Sequence, residues 1–337
     1  VSAWSCDDPE PDTSIVNFGP GQAVPNMVVL RYGSSGLCFS TVSPVHLVAD
    51  LTATTTDGDY RGVTPQRLVD TRAGGPYLPG REYRVQVGGT SGVPSSAAAA
   101  AVNVTVVAPP DDGWVRVGPC GAATDASTAN FRAGEVVAHF TFTALSSGAM
   151  CVLTSVLADV VIDSFGWMAA DSELVMLPPG RLLDTRTGLG GTLGSVGDGE
   201  LVRVRVAGRA GVPNGAPGAT VNIVAVDGAA PGHVTAWPCD VAQPNTSTLN
   251  LWPGVLRANQ ATLRLSESGE ICLRPTVVGR SRLHLVVDAV GHVKGDPVDR
   301  PPPPSTSVPG GRFGTLAPGA ALPSGSQCAA RVRPAPE

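Results

Sequence analysis

The sequence predicts an all-β protein: tandem β-sandwich modules, jelly-roll or immunoglobulin-like, each closed by one internal disulfide. Three observations carry the prediction. The segment Arg67-Leu68-Val69-Asp70-Thr71-Arg72 recurs as Arg181-Leu182-Leu183-Asp184-Thr185-Arg186, 114 residues later. Six cysteines fall in pairs, Cys6/Cys38, Cys120/Cys151 and Cys239/Cys272, separated by 32, 31 and 33 residues. Hydrophobic periodicity is two rather than 3.6, between turns rich in glycine and proline.

A repeat of this length marks an array of similar modules rather than one large active site. Other segments keep the same order. Asp12-Thr13-Ser14-Ile15-Val16-Asn17-Phe18 matches Asp125 to Phe131 and Asn245 to Leu251, giving a Ser-x-x-Asn pattern before an apolar residue. Val48-Ala49-Asp50-Leu51 matches the strands around Asp163 and Asp288. Val1 falls where Val234 sits in the last copy, so residues 1–56 are read as the C-terminal half of a first repeat, with about half a module expected before it. Residues 57–170 form the second repeat and 171–297 the third. The run Pro301-Pro302-Pro303-Pro304 makes 298–312 an extended linker. Residues 313–337 are a tail or the start of a further domain.

Within the third repeat, Leu201 to Val206, Ala219 to Val224, His233 to Trp237, Ala261 to Leu265 and Leu283 to Asp288 alternate as strands with one buried face. Turn signals stand between them, such as Gly211-Val212-Pro213-Asn214-Gly215 and Pro253-Gly254. Seven or eight short strands per repeat fit a sandwich.

Composition narrows the function. The chain has 41 Gly, 31 Pro, only 15% charged residues and a net charge of −5, with no basic cluster, which disfavours nucleic acid as a partner. No apolar run reaches the ~18–20 residues needed for a membrane span. Paired cysteines at a fixed spacing fit a disulfide per module and an oxidising, extracellular setting. Two cysteines per module without recurrent histidines cannot complete a four-ligand zinc site. Cys328 is left unpaired, its partner expected beyond Glu337. No cofactor or metal is expected.

The Arg-Leu-Leu-Asp-Thr-Arg opening, Gly-Val-Pro turns (Gly92-Val93-Pro94, Gly211-Val212-Pro213), Trp237-Pro238-Cys239 and the closing Val286-Val287-Asp288-Ala289-Val290-Gly291 together resemble repeats of secreted and cell-surface actinobacterial proteins, often joined to cell-wall hydrolases. The resemblance covers residues 1 to about 294. It implies an accessory extracellular module and carries no catalytic residues over. The tail from Leu322 to Pro334 looks like the start of another domain in such proteins.

Several motifs admit two readings. Asp70 with Arg72, and Asp184 with Arg186, can hydrogen-bond sugar hydroxyls or form a structural ion pair. Asp50, Asp163 and Asp288 are preceded four residues earlier by His46, Asp159 and His284; Asp159 breaks any recurrent His–Asp pair, which favours buried aspartates bonded to backbone or arginine over catalysis. Asn250, with its equivalents Asn17 and Asn130, marks either ligand contact or a hydrogen-bonded turn. Trp237 and Trp252 offer aromatic faces for sugars, although packing against a disulfide accounts equally for Trp237 and its counterpart Trp4.

No nucleophile elbow, metal-binding helix motif or phosphate loop is present, and an enzyme is not expected. The leading expectation is a non-catalytic, secreted, cell-wall-associated region that binds cell-wall glycan or surface polysaccharide and targets an attached domain. The alternative is a structural stalk with no ligand of its own. Self-association by completing the N-terminal half-repeat is a further expectation.

Overall fold

The computed structural model describes residues 1–31, 34–55, 59–122, 124, 126–295 and the short strand 331–333. The expected linker, most of the tail and Cys328 lie outside the described residues.

The N-terminal segment contributes β1 (Ser2–Ser5) and β2 (Leu37–Ser40), antiparallel and joined by the Cys6–Cys38 disulfide. The next module has eight strands: β3 (Arg61–Asp70), β4 (Tyr83–Gln86), β5 (Ala99–Val107), β6 (Gly113–Gly118), β7 (Ala129–Phe131), β8 (Val136–Ala144), β9 (Ala149–Thr154) and β10 (Asp159–Met168). They form two four-stranded sheets, β3-β10-β5-β8 and β4-β9-β6-β7. The third module repeats the plan with β11 (Leu174–Asp184), the two-residue β12 (Val196–Gly197), β13 (Val202–Arg205), β14 (Gly218–Val226), β15 (Gly232–Pro238), β16 (Leu249–Leu251), β17 (Arg257–Arg264), β18 (Glu270–Val277) and β19 (Arg282–Val293). Its sheets are β11-β19-β14-β17, with β12 also paired to β19, and β13-β18-β15-β16. Leaving β12 aside, each module pairs its first strand with its eighth and its second with its seventh, which is the jelly-roll order. Of the two sandwich types expected, this topology selects the jelly roll. A final strand, β20 (Arg331–Arg333), lies parallel to the free edge of β2.

Alternation places one face of each strand in the core. Val221, Ile223 and Ala225 of β14 meet Leu285, Val287 and Ala289 of β19 and Leu273 of β18 in one fully buried cluster. Val102, Val104 and Val106 do the same with Val160, Ile162 and Val152 in the second module. Cys120–Cys151 and Cys239–Cys272 each close a loop of about thirty residues, contributing roughly 3–4 kcal/mol on the chain-entropy account. Trp4 and Trp237 lie directly across the strand pair from Cys38 and Cys272.

The opposite faces are not open to solvent as a simple half-buried strand pattern predicts. Every residue of β14 is buried, as is all of β5 except Val107, because neighbouring modules pack on these faces. Phe140, Phe142, Phe165 and Met168 of the second module share a cluster with Ala3 and Ile15 before it and Met176 after it. The buried polar residues on these faces bond across the junctions. Asn103 Nδ2 donates to the Ser14 carbonyl at 2.7 Å, and its equivalent Asn222 donates to the Ser127 carbonyl at 2.9 Å. The Ser-x-x-Asn segment of one module is thus held by the central asparagine of the next. Arg257 and Glu135 add a bidentate pair at 2.9–3.1 Å across the second junction.

Candidate functional site

The Asp-Thr-Arg motif ends β3 and β11, and the structure assigns each of its side chains a partner. Asp70 caps a single 3-10 turn, Thr71–Ala73. It accepts from Arg72 Nε at 2.8 Å and Arg72 Nη2 at 2.5 Å. Arg67, three residues earlier, donates through Nε to Asp163 at 3.0 Å and places Nη1 3.6 Å from Asp70. Four alternating charges therefore run from the surface at Arg72 to the interior at Asp163. The third module repeats the chain: Arg186 Nη2 lies 2.7 Å from Asp184, and Arg181 bonds both Asp184 (3.2 Å) and Asp288 (2.5 Å).

The two carboxylates in each chain titrate in opposite directions. Hydrogen bonds from Arg72 pull Asp70 down to about 2, and Arg186 likewise lowers Asp184. Burial pushes Asp163 and Asp288 upward, opposed by Arg67 and Arg181.

The threonine also has a recurrent role. Thr71 donates to Asp159 at 2.8 Å, and Thr185 lies 3.0 Å from His284 Nδ1. Each hydroxyl in turn accepts a backbone N–H of the closing strand, from Val160 or Leu285. Asp159 and His284 alternate freely because either can bond a threonine hydroxyl.

The remaining sequence candidates are dispersed. Trp237 is buried, its Nε1 donating to the Val241 carbonyl at 3.2 Å and the Arg274 guanidinium lying over its ring. It has no open face for a sugar. Trp252 is 43% exposed beyond β16, and Asn250 is half-buried in β16. Asn130, the equivalent of Asn250, accepts from Ser127 at 3.0 Å inside its own motif.

Close to Asp70 the second module carries two tyrosines that the third replaces with valines. An open cleft of about 520 Å³ is lined by Asp70, Thr71, Gly74, Gly75, Tyr77 and Tyr83, among others. The two tyrosine rings stack with centroids 3.9 Å apart and planes 5° apart, and Arg81 lies over Tyr83. The Tyr83 hydroxyl accepts the Leu78 N–H at 3.0 Å, fixing the loop between the rings. Strand register identifies the counterparts. Tyr77 faces Ala158 and Tyr83 faces Val152, where the third module has Val196 facing Leu283 and Val202 facing Leu273. Both valines are buried, whereas both tyrosines are only half-buried. Sequence repetition points away from this pair because it does not recur. The available signal was two tyrosines six residues apart, directly after Asp-Thr-Arg, in a chain with only four tyrosines.

The cleft thus joins an aromatic stack to the carboxylate of Asp70, whose ion-pair partner Arg72 is half-exposed. With Tyr77 and Arg81 on the Tyr83 ring, such a set can offer a sugar ring edges and hydrogen bonds to its hydroxyls.

No family model matches this chain, and no curated protein matches it. Among solved structures, it is similar at a TM-score of 0.26 and 8% identity to the STIV MCP, over 68% of this chain and 96% of that one. The PBSX exported protein XepA gives a TM-score of 0.21 and 13% identity over 74% and 100%. The tandem CBM22-1-CBM22-2 domain of Paenibacillus barcinonensis Xyn10C gives 0.19 and 10% over 69% and 99%. At these scores the likenesses carry no argument about function. The three disulfides fit an extracellular setting, and no helix of the described residues is long and apolar enough to cross a membrane.

Proposed function

We propose that this chain is a non-catalytic extracellular binding region of the actinobacterial repeat type, and that its second module holds a cell-wall or surface polysaccharide in the Tyr77/Tyr83 cleft. The observation that carries the reading is the stacked tyrosine pair beside Asp70 and Arg72, present in one module where the other has buried valines. The Asp184–Arg186 pair of the third module is then structural, since it has the same internal bonds without the aromatic wall. Retention of the chain on purified peptidoglycan and on a glycan array tests the proposal. Binding is expected to fall at least tenfold in Tyr83→Ala and Arg72→Ala and to persist in Arg186→Ala. Absence of retention on either support overturns it, as does turnover of peptidoglycan or chromogenic glycosides by the chain.

A stalk role has its own support in the bonded junctions between modules, which favour a fixed spacing. Small-angle scattering that shows a rod of modules in series, with no glycan bound, favours that second reading.

A further inference from the structure

The three disulfides share a frame but not a setting. Cys6, Cys120 and Cys239 each come two residues after a position that faces the partner cysteine. Trp4 faces Cys38, Gly118 faces Cys151 and Trp237 faces Cys272. Directly opposite residues point their side chains to the same side of a sheet. Trp4 and Trp237 are buried, so an indole is packed beside the first and third bonds. At Gly118 a Cβ would meet nothing within 4 Å, which leaves open space on that side of the second bond. The other flank differs as well. Arg84 of β4 faces Cys151, and Arg203 of β13 faces Cys272. Arg203 is drawn to Glu270, 3.6 Å away. Register puts Ala149 where Glu270 stands, since Gln86 faces Ala149 and Arg205 faces Glu270. Without that carboxylate, Arg84 donates to the Ser147 carbonyl at 3.2 Å and lays Nη1 4.0 Å from Cys120 Sγ. Glu82 brings an opposing charge: it accepts the Gly121 N–H at 3.2 Å, with Arg116 as its own counter-charge at 3.8 Å.

We propose that Cys120–Cys151 is a thiol-exchange site, opened by a small thiol or dithiol ahead of the other two disulfides. The incoming thiolate enters over Gly118 and forms a bond to Cys151 Sγ. The S–S bond breaks, and its electron pair leaves on Cys120 Sγ as a thiolate. A guanidinium beside a sulfur lowers its thiol pKa, and a thiol of lower pKa leaves faster, so Arg84 eases this departure. A second thiolate then attacks the outer sulfur of the mixed disulfide and frees Cys151 as a thiolate. The protein's bond gains two electrons, and the two attacking thiols leave joined as a disulfide. In the third module the same attack meets the Trp237 indole, and the equivalent guanidinium is held by Glu270.

Partial reduction of the native full chain tests this. Free thiols are first blocked with N-ethylmaleimide, and limiting dithiothreitol is added. Released cysteines are trapped with iodoacetamide and followed peptide by peptide by mass spectrometry. Cys120 and Cys151 are expected to be released about tenfold faster than the other two pairs, or faster still. Arg84→Gln and Gly118→Trp should each remove most of that lead, the first by withdrawing the charge and the second by filling the space. Release of all three pairs within about threefold of one another overturns the proposal, as does a lead taken by another pair. A lead that survives both substitutions also overturns it, because the second module then exposes its bond by unfolding rather than through this site.

Discussion

Replacing Arg181 by alanine removes the link between two carboxylates, and the structure fixes both the size of the effect and its pH dependence. Asp288 is 1% exposed and its partner Arg181 only 24%, so the pair lies where breaking it strands a buried charge. Such losses run to about 3–5 kcal/mol at neutral pH. For a domain of this size that corresponds to roughly 10–20 °C in Tm. The pH dependence follows from Asp288, whose burial already raises its folded-state pKa above the ordinary 3.8. Without Arg181 that pKa rises further. A raised carboxyl favours the folded state in its protonated form and opposes folding once ionised. The cost of Arg181→Ala is therefore full above the raised pKa and shrinks as pH falls through it toward 3.8. Asp288→Asn in the same background should remove most of the pH dependence. Calorimetric unfolding of the oxidised chain between pH 4 and 8 measures this. A loss below about 1 kcal/mol, or one that stays constant across that range, would refute the reasoning that Arg181 neutralises a buried carboxylate.

Other consequences can be measured in the same way. Cys239→Ser with Cys272→Ser should lower the stability of the third module by roughly 3–4 kcal/mol in urea unfolding, leaving the second module's transition in place. Gly166 and Gly291 occupy one position in the closing strand. A Cβ would stand 2.4 Å from the Tyr60 ring in the first case and 2.4 Å from Met176 Cε in the second. Alanine at either should cost about 1–3 kcal/mol by overpacking, seen as a drop in Tm. Burial lowers His139 from 6.5 to about 4. The unfolded chain therefore takes up a proton that the folded one refuses, and stability should fall on the order of 3 kcal/mol as pH drops from 6.5 to 4. His139→Asn should abolish that share of the acid sensitivity, and an unchanged pH profile would count against a buried neutral imidazole.

Much of the fold was legible because repetition exposes it. The cysteine pairs gave the disulfides, and period-two alternation gave the strands and their inward faces. The choice of jelly roll over the immunoglobulin order was not legible, since it rests on which distant strands pair. The reverse faces were also misleading: alternation reads Asn103, Thr105, Asn222 and His292 as solvent-facing, yet all are buried, covered by a neighbour the strand pattern does not encode. At the candidate site, Asp70 and Arg72 stood out because they recur. Recurrence, however, selects for the shared scaffold, and Arg67–Asp163 and Arg181–Asp288 show that much of the motif serves to lock strands together. Tyr77 and Tyr83 were missed for the same reason reversed. They replace valines, and a property held by one module is invisible to a search for what the modules share.

The junctions carry this contrast further. Asn26, His139 and Asn259 occupy one position in the three segments. Asn26 donates to the Ile15 carbonyl and to Asn103 Oδ1 at 3.1 Å, and accepts the Phe140 N–H of the next module. Asn259 keeps the bond within its own module, to the Thr248 carbonyl, and its Oδ1 accepts the Gln260 N–H. In the second module histidine replaces asparagine. Its Nε2 and Asn222 Oδ1, the counterpart of Asn103 Oδ1, both lack protein partners. The second junction is held elsewhere, by Gln260 bonding Phe142 and Thr141 and by Arg257 with Glu135. The asparagine-to-serine-carbonyl bond is thus common to both junctions while the contacts around it differ. A recurrent bond of this kind sets how modules stack, and the variable residues beside it set how firmly each pair holds. Module order along the chain is then written in the residues that do not repeat, as Tyr77 and Tyr83 do not.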